Sequence, residues 1–328
     1  MAAVRGGALR ALSRQFAPYA WAPSTEEIAA RAGIPAAEVV RFDGNTPPRP
    51  PDTARVDELA DALARVNTYP HGGYPYIHEA IAAYAGVERG NIVLGAGADD
   101  LILLCARAFA APGDRVAIAD EPTYPLFRTA AWLAGADVGD DDPVLTFCCR
   151  PHNPTGALVA VPEARPLVVD EAYFEYARET IVDTSDDGLV VIRTFSKAFG
   201  LAGARIGYAV ASAAVAEELR VRQSPAPVST LSVALALAGL AAPPDVTDVL
   251  EERERLAERL RSLGLDPLPS RANFVYVRLA RADEIAERLL LRGLAVRPFG
   301  DAIRITVRNG VDDDRLIATL AEIVGSLP

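Results

Sequence analysis

Apolar residues change their spacing twice along this chain. Ser24-Thr25-Glu26-Glu27 offers cap chemistry to a short helix ending near Gly33. Val56, Leu59, Ala60 and Leu63 mark one face of a helix over Asp52 to Val66. Between them, Val39 to Phe42 reads as a strand, and Asp43-Gly44-Asn45-Thr46-Pro47-Pro48 is a turn-rich stretch where no helix continues. From about residue 90, short apolar runs alternate with helical ones. Strands are expected over Asn91 to Leu94, Arg115 to Ala119, Val144 to Cys148, Leu167 to Val169 and Leu189 to Arg193, with helices over Asp99 to Ala110 and Tyr124 to Ala134. Such alternation predicts an α/β fold whose mostly parallel sheet is sandwiched by helices.

Past about residue 210 the spacing becomes helical, in one long Ala/Leu/Glu/Arg region to about Leu263. Then come a strand (Asn273 to Leu279), a helix (Ala282 to Leu291), two strands (Leu294 to Arg297, Ile303 to Val307) and a closing helix (Asp312 to Leu327). The expected organisation is an N-terminal arm over 1–45, a large domain over 46–225 and a smaller α+β domain over 226–328 that includes the arm. No internal repeat or long flexible linker interrupts it.

Composition narrows the function. The 328 residues are 50% hydrophobic and 23% charged, enough for a deep core and unlike a disordered chain. A net charge of −11 repels a phosphate backbone, which argues against nucleic acid as partner. Cys105, Cys148 and Cys149 form no disulfide framework, so a reducing cytoplasm is expected. His71, His78 and His152 fall in no metal-ligand spacing, and no apolar run reaches membrane-spanning length.

Five segments carry chemistry, each directly behind an expected strand. Thr194-Phe195-Ser196-Lys197-Ala198-Phe199-Gly200 places a lysine among small and apolar neighbours. Desolvation there favours the neutral amine, which attacks aldehydes. Arg205, eight residues on, offers a fork of donors suited to phosphate, and the hydroxyls of Thr194 and Ser196 can join it. Asp170-Glu171-Ala172-Tyr173 puts an acid at the sheet's carboxyl end, able to hold a pyridine nitrogen protonated, with a phenol three residues later. Arg150-Pro151-His152-Asn153-Pro154-Thr155-Gly156 is a rigid turn offering the Asn153 amide. Gly95-Ala96-Gly97-Ala98-Asp99 joins a strand to a helix N-terminus, an anion-binding arrangement. Glu121-Pro122-Thr123-Tyr124-Pro125 supplies Tyr124 to cover a planar ring. Singly, each is an ordinary turn or cap. Together they furnish an anion cradle, a ring cover, an amide, an acid and an amine at one sheet edge.

With these motifs the chain resembles the fold-type I aminotransferases, and among them the histidinol-phosphate aminotransferase group. Asn153-Pro154-Thr155-Gly156, Asp170-Glu171-Ala172-Tyr173, Thr194 to Phe199 and Ile303-Arg304-Ile305-Thr306 carry the resemblance, which spans nearly the whole chain. It implies pyridoxal 5'-phosphate as cofactor, linked to Lys197. Asp170 would pair with the ring nitrogen, and Asn153 and Tyr173 with the ring oxygen. Gly97, Ala98, Asp99, Thr194, Ser196 and Arg205 would hold the phosphate, and Tyr124 would cover the ring. Tyr69, in Thr68-Tyr69-Pro70, would reach the phosphate of a partner subunit, implying a homodimer with shared sites. Asn45, Arg297 and Arg304 would bind substrate. The implied reaction transfers an amino group from a small donor, histidinol phosphate foremost, to a 2-oxo acid such as 2-oxoglutarate. A decarboxylase of the threonine-phosphate kind, or an aminotransferase for aromatic or specialised amino acids, shares nearly every motif. A cofactor-sensing regulator would need a DNA-binding appendage, against which the acidic charge argues, and a dinucleotide enzyme would leave Lys197 and Asp170 unexplained. The stretches Gly135 to Val144 and Gly156 to Leu167 are shorter than in relatives. Asp43-Gly44-Asn45-Thr46-Pro47 replaces the usual Asn-x-Asn-Pro, and Asp100 replaces a glutamate.

Overall fold

A computed structural model of the chain describes residues 21–48, 56–70 and 72–326. The first 20 residues of the expected arm over 1–45, the expected helix start over 52–55, His71 and the last residue of the expected closing helix lie outside the described residues. Ser24 caps α1 (Thr25–Ala32): its Oγ accepts from Glu27 N at 3.1 Å, and the Glu27 carboxylate accepts from Ser24 N at 2.7 Å. Then come β1 (Val40–Arg41), α2 (Val56–Ala64) and α3 (Pro75–Ala85). The alternating core follows as β2 (Ile92–Gly95), α4 (Ala98–Phe109), β3 (Arg115–Ile118), α5 (Leu126–Ala134), β4 (Asp137–Val138), β5 (Leu145–Cys149), β6 (Leu167–Asp170), α6 (Phe174–Ala177), β7 (Leu189–Thr194) and β8 (Gly207–Ala211). The remainder is α7 (Ala213–Val221), α8 (Thr230–Ala241), α9 (Thr247–Ser262), β9 (Asp266–Pro267), β10 (Phe274–Arg278), α10 (Ala282–Leu290), β11 (Leu294–Ala295), β12 (Arg297–Pro298), β13 (Ala302–Thr306) and α11 (Gly310–Gly325).

The main sheet has seven strands in the order β2-β8-β7-β6-β5-β3-β4. β7, β6, β5, β3 and β4 pair in parallel, while β8 is antiparallel to both its neighbours, β7 and β2. Two antiparallel pairings restore direction, so β2 runs with the parallel set. The carboxyl ends of β2, β3, β5, β6 and β7 therefore share one edge, where open α/β folds bind ligands. Both faces are covered. Leu101, Ile102, Cys105, Phe127 and Ala130 of α4 and α5 pack on one, and Ile77, Ile81 and Ala236 of α3 and α8 on the other.

A four-stranded antiparallel sheet, β12-β13-β10-β9, and a parallel pair, β1-β11, form the smaller unit. Val40 and Phe42 join its core with residues of α9, α10, β10, β13 and α11, so the first strand belongs to the C-terminal half. The structure corrects two expectations. The single helical region to Leu263 is three helices, α7 to α9, because Pro225 and Pro227 and then Pro243-Pro244 forbid continuation. The single strand Leu294 to Arg297 is two: β11 pairs with β1, and β12 with β13. In addition, α8 packs on α2 and α3, and Val228 and Ala236 join the core over β2 and β8. The expected division after residue 225 therefore falls among helices that cover the larger sheet. Among the described residues, no helix is long and apolar enough to cross a membrane.

Candidate active site

Five loops at the carboxyl edge converge. At the first, Gly97 takes φ +84 and leads into α4, leaving that helix's first N–H groups at its end. A Cβ on Gly97 would lie 2.8 Å from Arg205 Nη2. A Cβ on Gly207 would lie 2.7 Å from Arg193 O and 3.1 Å from Ala98 N. Glycine at both places lets the backbone close around the spot that Arg205 faces. Asp99 ties two loops together there: its Oδ2 accepts from Arg205 Nη2 at 3.1 Å, and its Oδ1 from the Tyr124 hydroxyl at 2.9 Å. Thr194 Oγ1 donates to Ser196 Oγ at 2.8 Å, and both residues are buried beside Lys197 in the chain. Helix N-terminus, guanidinium and hydroxyls make a set of donors suited to a phosphate.

Lys197, just past β7, stands over the Tyr173 ring with Nζ 5.8 Å from its centroid and 3.4 Å from Gly44 O. Burial pushes its ammonium down to about 8, Arg304 adds to this, and Asp170 and Asp99 oppose it. A lysine so placed has a usable fraction of neutral amine near neutral pH. Asp170 closes β6, is 5% exposed, and accepts from Ala172 N at 3.1 Å. Burial pushes its carboxyl up to about 7, and the Asp99 charge works the same way, while Lys197 pulls it down. A cationic ring nitrogen is the kind of group that would return Asp170 to its charged form.

The other wall comes from the smaller unit. Asn45, buried at φ +53, donates through Nδ2 to the Tyr173 hydroxyl at 2.9 Å. It is held by Thr306 Oγ1, which donates to Asn45 Oδ1 at 3.0 Å, and by Asn273 Nδ2, which donates to Asn45 O at 3.1 Å. Arg304, on β13, donates to Asn153 Oδ1 at 2.6 Å and to Asp43 O at 2.9 Å. Its guanidinium lies 5.4 Å from the Phe274 ring and 5.6 Å from the Phe299 ring. A buried guanidinium beside Asn153 and Lys197 is a receptor for an anionic group.

Two of the expected residues stand apart from this cluster. Arg297 is half-buried and lines a cavity of about 300 Å³ with Trp21, Asp43, Asp283 and Glu287; on β12 it pairs with Arg304 across the strands. Tyr69 is 83% exposed, in a groove of about 590 Å³ between α2, α3 and α8. Residues to which the sequence assigned no role in the site also take part. His152 Nε2 meets Asp120 O at 2.9 Å and its Nδ1 meets Thr155 Oγ1 at 2.8 Å, while Thr123 Oγ1 donates to Asn153 O at 3.1 Å. These contacts join the Tyr124 loop to the Asn153 loop. Asn273, Phe274 and Thr306 support Asn45 and Tyr173; Thr306 ends a stretch the sequence singled out, but nothing in the local sequence of Asn273 and Phe274 announces it. Only the pairing of β10 with β13 brings them near.

The donor set fits pyridoxal phosphate. The glycine-lined cradle with Arg205 has the donors a phosphate needs, Lys197 offers an amine, Asp170 offers a buried acid, and Tyr173 and Asn153 lie beside them.

Comparison with known proteins agrees. A model of the aminotransferase class I and II family matches residues 37–140 and 139–323. The histidinol-phosphate aminotransferase of Thermoanaerobacter pseudethanolicus is 36% identical over 301 residues, covering 80% of this chain and 86% of its own. Histidinol-phosphate aminotransferase 2 of Archaeoglobus fulgidus is 35% identical over 325 residues, covering 88% and 94%. The crystal structure of histidinol-phosphate aminotransferase from Sinorhizobium meliloti, in complex with pyridoxal-5'-phosphate, superposes with a TM-score of 0.82 at 26% identity, covering 96% of this chain and 99% of that one.

Proposed function

The chain belongs to the class I and II aminotransferases, pyridoxal-phosphate enzymes, and from that premise we propose that it takes histidinol phosphate as amino donor and a 2-oxo acid such as 2-oxoglutarate as acceptor. The observation that carries the donor is the naming of relatives at 36% and 35% identity that align over most of both chains. The buried Arg304 beside Lys197 supports an anionic substrate of either kind.

Pyridoxal phosphate, when bound, supplies an aldehyde that takes up the amino group and a ring that accepts the electron pair released at the substrate carbon. The chain's residues do the rest. Lys197 would hold the cofactor through its amine, and as a free amine it would carry the proton removed from the substrate's α-carbon. Asp170 holds a proton on the ring nitrogen. Tyr173 and Asn153 orient the ring through its oxygen, and Tyr124 covers one face. Gly97, Ala98, Asp99, Thr194, Ser196 and Arg205 bind the phosphate. Arg304 takes the substrate's anionic end, the phosphate of the donor or a carboxylate of the 2-oxo acid, with Asn45 beside it, and Arg297, its neighbour across the strands, adds a second cation for that end. Tyr69 completes the phosphate site of a second copy in a homodimer.

The test is a screen of amino donors, histidinol phosphate among them, followed through the visible absorbance of the bound cofactor. Histidinol phosphate is expected to change the absorbance at the lowest concentration of any donor and to return it with 2-oxoglutarate. A change with another amine and none with histidinol phosphate would overturn the donor, and carbon dioxide release from a phosphorylated amino acid would overturn the reaction.

A further inference from the structure

Between the two strands that carry the chemistry lies an ion pair with no part in it. Glu171 is fully buried and Arg193 is 2% exposed. Arg193 Nε and Nη2 donate to Glu171 Oε2 at 3.1 and 3.0 Å. Thr180 Oγ1 donates to the same oxygen at 2.8 Å, and Ile181 N donates to Oε1 at 2.9 Å. Arg193 Nη2 also donates to Thr180 Oγ1 at 2.7 Å, and its guanidinium lies 3.5 Å above the Phe174 ring. Each charge thus has several partners and neither is near solvent.

Position along the chain gives the pair its interest. Glu171 follows Asp170 at the end of β6, and Arg193 precedes Thr194 near the end of β7, four residues before Lys197. Successive strand residues point to opposite faces. The backbone ties agree: Asp170 lies opposite Ile192, and Glu171 N donates to Ile192 O at 2.8 Å. Tyr173 sits in the turn that Phe174 N closes on Glu171 O at 3.0 Å. The ion pair therefore fastens, from behind, the two strand ends from which Asp170, Tyr173, Thr194 and Lys197 emerge.

Burying two charges contributes little net stability, because lost hydration offsets their attraction, and an apolar pair of similar volume would join the strands as well. What the pair adds is a single geometry, fixed by a two-armed guanidinium and by four bonds to one carboxylate. We propose that the Glu171–Arg193 pair is a positioning device that holds Asp170 and Tyr173 in register with Lys197 around the cofactor. The inference rests on the cofactor placement given above and adds to it two residues that touch neither cofactor nor substrate.

The test uses the holoenzyme and two variants. The double variant Glu171→Met/Arg193→Met removes both charges at similar volume, and Arg193→Lys keeps both charges but loses the fork. Four quantities are read: thermal midpoint of the cofactor-free chain, its affinity for pyridoxal phosphate, the pH at which the bound cofactor's absorbance changes, and kcat separately from KM. The double variant is expected to melt close to the parent, bind the cofactor about tenfold more weakly and shift the absorbance midpoint. Its kcat should fall by about ten- to a hundredfold while KM stays within about twofold. Arg193→Lys should move the same readings in the same direction by less, and it decides the matter if the double variant does not fold. Parent-like affinity, absorbance midpoint and kcat in the folded variants overturn the proposal. So does a loss that vanishes on cooling to a temperature where the variant is fully folded. Borohydride reduction of the parent separates this from the underlying reading. Cofactor fixed to a peptide other than that of Lys197 sinks the placement and this inference together. Cofactor fixed to Lys197 with a parent-like double variant sinks this inference alone.

Discussion

At the scale of single residues, the site is built by placing groups where their charged forms are uncomfortable. Asp170 shows the consequence for stability. Its carboxyl is raised from 3.8 to about 7, first by burial and then by Asp99. Below about pH 4 it is protonated in folded and unfolded chains alike, and no difference arises. As the pH rises from about 4 to about 7 the unfolded chain releases this proton first, so the folded state loses stability, and above 7 the loss is complete. Asp170→Asn keeps the acceptor for Ala172 N and removes the titration. The cofactor-free variant is therefore expected to exceed its parent by about 2–4 kcal/mol at pH 8 and by much less at pH 5, measured by denaturant unfolding. Activity should move the other way, by about a thousandfold or more, because an amide cannot hold the ring nitrogen protonated. Equal gains at the two pH values would show that the carboxyl is not held neutral by its surroundings. The lowered Lys197 has the same origin and was legible from its place behind an apolar strand, whereas the sequence placed Asp170 at the sheet edge without showing that burial holds it neutral. The Glu171–Arg193 pair was not legible. Glu171 stands inside a recognised motif, yet its partner lies 22 residues away on the next strand, and only the β6–β7 register brings them together.

Elements were legible where local signals agree and obscure where long-range pairing decides. The α1 cap, the strands β2, β3, β5, β6 and β7, the helices α4 and α5 and the closing helix follow from spacing and punctuation, whereas the two-residue β4 and the single turn α6 are too short to leave a period. β8 is a short apolar run like several others, and nothing in Gly207–Ala211 says that it inserts antiparallel between β2 and β7. α3 did carry a signal, Pro75 in its first turn and Gly86 at its end, but its Ala-rich face is weakly patterned. Gly156 is a further case. As part of Asn153-Pro154-Thr155-Gly156 it reads as turn chemistry, and its φ of +79 agrees. The structure adds a second reason, since a Cβ there would lie 2.1 Å from Ser270 Oγ, in the loop between β9 and β10. Gly156 O also accepts from Arg271 N at 2.7 Å. This close approach seats the smaller unit's loop, and with it Asn273 and Phe274, against the Asn153 turn. Gly156→Ala is expected to lower stability by about 2–3 kcal/mol, part from the left-handed backbone and part from displacing Ser270. Adding Ser270→Gly should restore the second part and leave about 1 kcal/mol, read as the denaturation midpoint. If the second substitution restores nothing, backbone strain alone accounts for the glycine.

At the scale of the whole molecule, the exposed side chains suggest what completes the site. Tyr69 is 83% exposed, and Leu63, Val66 and Tyr76, exposed by 60%, 56% and 76%, stand in the same part of the chain. Tyr69 and Tyr76 line the groove between α2, α3 and α8, whose other walls include Ala62, Ile77, Val233 and Leu237. Large apolar side chains gathered on one face favour burial against another surface. A twofold dimer applies the same face of each copy to the other. If Tyr69 then serves the neighbouring phosphate site, each active site draws Lys197 from one chain and Tyr69 from the other, and inactive chains can repair one another. Tyr69→Ala and Lys197→Ala, each nearly inactive alone, should regain activity when dissociated, mixed in equal amounts and reassociated. In a hybrid dimer one site combines the intact Lys197 of the first chain with the intact Tyr69 of the second, while the other site carries both defects. Random mixing makes half the dimers hybrid, so the expected recovery is about a quarter of the parental activity. A mixture no more active than the sum of its parts, under conditions where exchange of subunits is demonstrated by mass, would mean that Tyr69 serves its own chain or neither.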